Sequence, residues 1–462
     1  MSKLSESGKK YAGFKGLIGI AREDITPPVG VYARNWGAAK HDMADSVHRP
    51  LMLSALTMAS KHGDAPLILI TADLGWWRSM NFFSRFQKRL MDELSMDASR
   101  LIFALSHTHS AAPLMKPDPS LPGNEKLGPW SERVFQAAVS AARRALKDAS
   151  EAIIDWHTGR CSLASLRDFP DPNPKADRLL CGFNPSGNAD DTLMVGRIAD
   201  PSGKLRATLV NYACHPTTLA WENTSISPDY IGAMRDTMEA ATGATAFFLQ
   251  GMSGDLAPRH QYVGDVEVAD RHGRQLGFAA LAVLNDMELP GKQLCFDQVV
   301  ESGAPLAIWR PQPHSISTEV RASQTVVDLK LKNWPSAEIL ERQRLASDGR
   351  FEEERLRRKR DIRRSLGDGD SFPLAVHAWR VGDAIMIGSP GEAYSRLQHS
   401  LRRRFPNLSL ICMNIINGWV GYLPPTELYD VDVYPVWQTP FDRGCLEQVN
   451  ETMIRCIDAL QN

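Results

Sequence analysis

Six short apolar runs, spaced along the chain and separated by amphipathic stretches, restrict what this sequence can fold into more than any other feature. They cover residues 66–72, 100–105, 207–212, 245–250, 384–388 and 408–413. Each is bounded by polar or turn-forming residues and reads as a buried strand. Between them, residues 80–94, 131–148, 230–241, 266–286 and 391–404 repeat apolar side chains at helical spacing. Strands alternating with helices predict an α/β fold. No linker clearly divides the 462 residues, so a single unit over 1–462 is expected.

Composition narrows the function classes. Hydrophobic residues make up 43% and charged residues 23%, ordinary proportions for a globular chain, and the net charge is −1. No basic track suits nucleic acid. The run Arg355-Leu356-Arg357-Arg358-Lys359-Arg360 follows Glu352-Glu353-Glu354 and reads as a charge-paired helix. It belongs to a charged helical hairpin over 337–366, expected to be peripheral. Residues 1–16 are expected to be flexible, and the N-terminus shows no signal-peptide core. No stretch is long and apolar enough to insert stably in a membrane. Seven scattered cysteines without a CxxC pair suit a cytoplasmic protein better than a disulfide scaffold. The expected partner is a small-molecule substrate, and a homo-oligomer stays open.

The chemistry-bearing residues cluster just after the apolar runs. Ser106-His107-Thr108-His109-Ser110 follows the run at 100–105. Continued as a strand, it would turn both imidazoles to one side, an arrangement suited to a metal held by neutral ring nitrogens. Two hydrogen-bonded histidines fit the pattern equally well. His215 closes the run at 207–212, before a proline that discourages further regular structure. Glu392 follows the Pro390-Gly391 turn and reads as first-turn helix, where the dipole favours an acid. Gln250-Gly251-Met252-Ser253-Gly254-Asp255-Leu256-Ala257-Pro258 is a strand-to-loop turn whose glycines permit close approach of a ligand. Gly251 and Asp255 are candidate substrate contacts there. Residues 168–191, rich in Pro, Asn, Gly and Asp, read as a long ordered loop.

In order and context these segments resemble the catalytic domain of the neutral ceramidases. The resemblance starts at Gly19-Ile20-Ala21-Arg22-Glu23-Asp24-Ile25-Thr26-Pro27. It continues through the His107 segment, Asn211-Tyr212-Ala213-Cys214-His215-Pro216, the 250–258 turn and the strand leading to Glu392. It ends with Gly421-Tyr422-Leu423-Pro424-Pro425 and Tyr434, and so spans residues 17–440. It implies mixed β-sheets packed face to face with flanking helices. It also implies one zinc ion per chain, held by His107, His215, Glu392 and Tyr422. His109 would sit beside the metal, Arg167 and Tyr434 would act on the substrate carbonyl, and Gly37 would lie at the site entrance.

Two departures shape the functional expectation. The ceramidases carry an active-site serine where this chain has Ala257, so a serine nucleophile is not expected and ceramide is a doubtful substrate. The family's C-terminal immunoglobulin-like domain is expected to be absent. The implied activity is a zinc-dependent hydrolase that cleaves an amide, or an ester or lactone, with metal-activated water. The rivals are another reaction on the same scaffold (lyase, transferase or glycosyl-bond enzyme) and a non-catalytic metal-containing binding protein.

Overall fold

The computed structural model describes residues 12–461. Its centre is an eight-stranded mixed sheet. The strands are β1 (Ala12–Asp24), β2 (Met52–Ala59), β3 (Leu67–Ala72), β4 (Leu101–Leu105), β5 (Ser150–Arg160), β6 (Thr192–Ala199), β7 (Leu205–Tyr212) and β8 (Thr245–Gln250). Their order across the sheet is β8-β7-β6-β5-β1-β2-β3-β4. Neighbours run antiparallel except at the two edges, where β3 pairs parallel with β4 and β7 with β8. A second sheet contains β9 (Val320–Lys330), β10 (Ser371–Val381), β11 (Ala384–Gly388) and β12 (Ser409–Met413), in that order, and β11 and β12 are parallel.

The helices are α1 (Met80–Leu94), α2 (Leu127–Lys147), α3 (Tyr230–Thr242), α4 (Val266–Asn285), α5 (Ala337–Leu345), α6 (Arg350–Leu366), α7 (Ser395–Arg404), α8 (Tyr434–Gln438) and α9 (Cys445–Gln461).

Side-chain alternation sorts the strands into layers. Leu67, Leu69, Ile102 and Ala104 face the second sheet and pack with Trp379, Met386, Ile411 and Met413. Ile68, Ile70, Leu101, Phe103 and Leu105 face the other way, against Phe83 and Phe86 of α1 and Trp130 and Phe135 of α2. Farther along the same face, Val210 and Tyr212 meet α3 and α4. The outer face of the second sheet is covered by α7 and α9. The fold is therefore α/β, with two mixed sheets packed face to face between helices.

The large sheet curls until its edge strands β4 and β8 come within 8 Å of each other. Residues 414–417, leaving β12, fill the remaining gap. Asn414 N donates to Gln250 O at 3.0 Å on the β8 side. Leu105 N donates to Ile415 O at 3.2 Å, and Asn417 N to Phe103 O at 2.9 Å, on the β4 side. Phe103 N donates to Asn417 Oδ1 at 2.7 Å, and Asn417 Nδ2 to Leu101 O at 2.8 Å. The bridging segment holds Ile415 and Asn417 in the left-handed region, at φ 55° and 52°.

Three expectations are corrected. Residues 12–16 belong to β1, paired with β5, and are not a loose end; residues 1–11 lie outside the described part. The 168–191 stretch contains two strands, Asp168–Pro170 and Arg178–Cys181, which pair with each other. The 337–366 hairpin exists as α5 and α6, but it is not peripheral. Glu354 of α6 is buried, and Arg358 reaches the centre described below.

Asn211 ties the two sheets together. Its Nδ2 donates to Leu249 O at 3.0 Å in β8 and to Cys412 O at 2.9 Å in β12. Asn211→Ala removes both buried bonds and is expected to lower stability by about 1–3 kcal/mol. Chemical denaturation of the variant against wild type measures that loss; an unchanged midpoint would refute the tie.

Candidate metal centre

Four chain segments end at one buried point. His107 lies just after β4, His215 just after β7, and Glu392 and Tyr422 sit opposite each other in a short parallel pairing of 392–393 with 422–423. Glu392 is therefore not in the first turn of a helix. Its amide donates to Gly421 O at 2.9 Å, and α7 starts only at Ser395. His107 also departs from strand geometry: β4 stops at Leu105, and His107 has φ 69°. The two histidines converge through a left-handed turn and not through strand alternation, and such strained backbone often marks functional positions.

The imidazoles are locked from behind. His107 Nδ1 lies 3.0 Å from Gly75 O, and His215 Nδ1 lies 2.9 Å from Ser253 O. A carbonyl can only accept, so each Nδ1 carries the proton and each Nε2 presents a lone pair. Those two Nε2 atoms are 3.0 Å apart. Glu392 Oε2 stands 3.3 Å from the first and 3.2 Å from the second. Its Oε1 accepts from Trp419 Nε1 at 2.7 Å, which aims Oε2 inward.

Glu392 Oε2 and His109 Nε2 are both buried with no hydrogen-bond partner. His107, His109 and His215 each bring a nitrogen within 4.8 Å of the others. Burial, with the Arg167 guanidinium adding to it, pulls the His215 imidazole down to about 3. Burial and the neighbouring His107 hold His109 well below its ordinary value. Imidazole nitrogens and one carboxylate oxygen turned inward fit a transition-metal cation, and the N/O set suits zinc.

Tyr422 stacks near His215, with ring centroids 6.3 Å apart, and its hydroxyl accepts from Arg167 Nη2 at 2.8 Å. Burial pushes the phenol up, and Arg167 partly offsets this. Arg167 is also anchored on Gly254 O at 2.8 Å. Tyr434, at the start of α8, lies edge-on to Tyr422 at 5.7 Å, and its hydroxyl accepts from Arg358 Nη1 at 2.7 Å.

The remaining candidates lie farther back. Both carboxylate oxygens of Asp255 accept from Ser395, from its amide at 2.6 Å and its hydroxyl at 2.7 Å, so Asp255 holds the start of α7. Gly251 packs against Ala213, where a Cβ would come within 2.8 Å, and no space for a ligand remains between them. Gly37 packs on the Glu354 side chain. Ala257 is fully buried beside Ser165 and brings no hydroxyl to the centre.

An aromatic wall surrounds His109, with Trp76 at 4.9 Å and Trp36 at 5.2 Å between ring centroids. Trp221 and Tyr262 extend it beyond Trp36. Trp77, by contrast, belongs to the core with Phe83, Phe86 and Phe103. Sequence reasoning missed Trp419, Glu354 and Arg358. Only the Glu-then-Arg spacing of α6 hinted at the last two, and nothing marked Trp419.

Solved structures with this arrangement of layers are known. A ceramidase complexed with C2 superposes with a TM-score of 0.66 at 15% identity, over 98% of this chain and 76% of that one. Neutral ceramidase from Pseudomonas aeruginosa gives 0.64 at 16% identity, over 96% and 74%. The fold is that of the neutral ceramidases. No family model matches the chain, and no curated protein matches it in sequence. Among the described residues, no helix of this ceramidase-like fold is long and apolar enough to cross a membrane.

Two outcomes follow from the geometry. Trp419→Phe frees Glu392 Oε1 and is expected to weaken zinc binding about 10–100-fold, read by competition with a chromogenic chelator. At Glu354, burial opposes ionisation, but Arg358 and Arg357 outweigh it and hold the carboxyl well below its ordinary 4.5. Its stabilising contribution is therefore complete above about pH 4.5 and lost as the pH falls further. Glu354→Gln is expected to cost about 3–5 kcal/mol at pH 7. The gap to wild type should close on acidification, as melting curves across pH 3–7 would show.

Proposed function

We propose that the chain is a metal-dependent hydrolase, with zinc as its ion, that cleaves an amide in a small substrate; an ester or lactone is the next choice. The observation that carries this reading is the inward convergence of His107 Nε2, His215 Nε2 and Glu392 Oε2 on one buried point, with both Nδ1 atoms committed to carbonyls. That the similar solved structures are ceramidases supports the reaction class.

His107, His215 and Glu392 would hold the ion, with Tyr422 as fourth donor. Bound there, zinc would supply Lewis acidity and lower the pKa of water near pH 7. His109 presents a bare Nε2 that accepts a proton as water attacks the carbonyl carbon. Tyr434 offers its hydroxyl hydrogen, since its oxygen already accepts from Arg358. Arg167 keeps the Tyr422 oxygen oriented and adds positive charge near the developing oxyanion. The aromatic wall excludes bulk water, so these interactions act at low dielectric.

With Ala257 where the ceramidases have serine, the nucleophile in this reading is water, and ceramide is not the proposed substrate. All seven cysteines are free thiols, which supports a cytoplasmic setting.

The test is metal analysis after zinc loading and dialysis, followed by an amide and ester screen. One zinc per chain is expected in wild type and none in the His107→Ala/His215→Ala double variant. Turnover is expected to vanish with a chelator and return with zinc. A wild-type chain that retains no metal would sink the reading.

A further inference from the structure

Four arginines meet behind the aromatic wall with too few carboxylates to balance them. Glu354 serves three of them: its oxygens lie 2.7 Å from Arg358 Nε, 3.2 Å from Arg357 Nε and 3.7 Å from Arg34 Nη2. Arg34 has a second, weaker partner in Asp42 at 3.5 Å, which is 40% exposed. Arg78 has no carboxylate partner among the described residues. Its Nη2 donates to the neutral Asn35 Oδ1 at 2.8 Å, and its guanidinium stacks 4.3 Å over Trp76. Within ion-pair distance, four guanidiniums share two carboxylates, and Asp361 acts on Arg357 only from farther away, so positive charge is in excess.

This excess adjoins the reaction centre. Asn35 is the shared hub: its backbone oxygen accepts from Arg358 Nη2 at 3.0 Å, and its Nδ2 donates to His109 O at 3.2 Å. The Trp76 ring that carries Arg78 is the one packed on His109. Arg358 also holds Tyr434. Arg34, Asn35, Trp36 and His109 line a cavity of about 10 Å³, room for one water molecule. Burial, with Arg357 next, pulls Arg78 down to about 10, while Glu354 partly offsets this. Unpaired charge away from water is costly unless an opposite charge arrives, and planar guanidinium forks match a carboxylate.

We propose that Arg78, with Arg34 and Arg358, forms a recognition site for a carboxylate carried by the substrate next to its scissile amide, making N-acylated amino acids the substrate class. The inference rests on the hydrolase reading above. In that reaction the acyl C–N bond breaks, and the oxygen of water ends on the acyl carboxylate. The protons of water pass to the departing amine, and the amino acid leaves with its carboxylate unchanged.

Hexanoyl-glycine and hexanoyl-glycinamide differ in that charge and are the probes. Calorimetric titration of the zinc-loaded full chain is expected to show the carboxylate binding at least about tenfold tighter, with the preference shrinking as salt rises. Arg78→Gln and Arg34→Gln should each bring the ratio toward one, and Arg78→Lys should restore part of it. Equal affinities, no binding of either probe up to millimolar concentration, or a ratio that survives both glutamine variants would overturn the proposal. If Arg78→Gln fails to fold, Arg34→Gln decides. Hydrolysis of the same pair is followed separately. Turnover of both at equal rates, with equal affinities, removes the carboxylate site and leaves the hydrolase. A binding preference without turnover does the reverse.

Discussion

Two imidazole nitrogens 3.0 Å apart, each with its proton committed elsewhere, repel unless something positive lies between them. Much of the centre's architecture holds that unfavourable arrangement in place. Gly75 and Ser253 offer the carbonyls that fix the tautomers, and Trp419 turns the Glu392 carboxylate toward the gap. The left-handed backbone at His107 adds local strain that the surrounding core must support. Such an arrangement has a clear use when the missing partner is a cation.

The supporting groups come from unrelated parts of the chain. The parallel edge pairs deliver His107 and His215, one from each end of the large sheet. Glu392 and Tyr422 arrive together from beyond the second sheet, in register with each other. α6, more than 60 residues before Tyr434 at its nearest, packs its arginines behind the substrate side. The candidate metal donors and the arginines proposed to meet the substrate thus come from different segments.

What the sequence revealed depended on how strands pair. The six runs read from apolar content are the members of the three parallel pairs: β3 with β4, β7 with β8, and β11 with β12. Parallel strands buried on both faces read as continuous apolar runs. Most of the antiparallel strands were overlooked because polar residues interrupt them: Ser54 and Thr57 in β2, Asp155 and His157 in β5, Arg197 in β6. Asp155 and Arg197 satisfy each other across adjacent strands, a pairing invisible along the chain. The same limit applied to the site. His107, His109 and His215 stood out because they follow apolar runs. Asp255 looked like a ligand contact, and only its two bonds to Ser395 show that it holds a helix start. The charge density of α6 suggested a solvated face, yet Glu354 lies in the interior, where three arginines converge on it.

The segment 414–417 has a second consequence. An open sheet exposes rows of unpaired amides and carbonyls at its edges, which invite association with other chains. Here both edges are capped by the same four residues, which reach the sheet only after β12 has formed. Until that segment is made, the bonds it gives to both edges are missing. Topologies built on such distant contacts fold slowly.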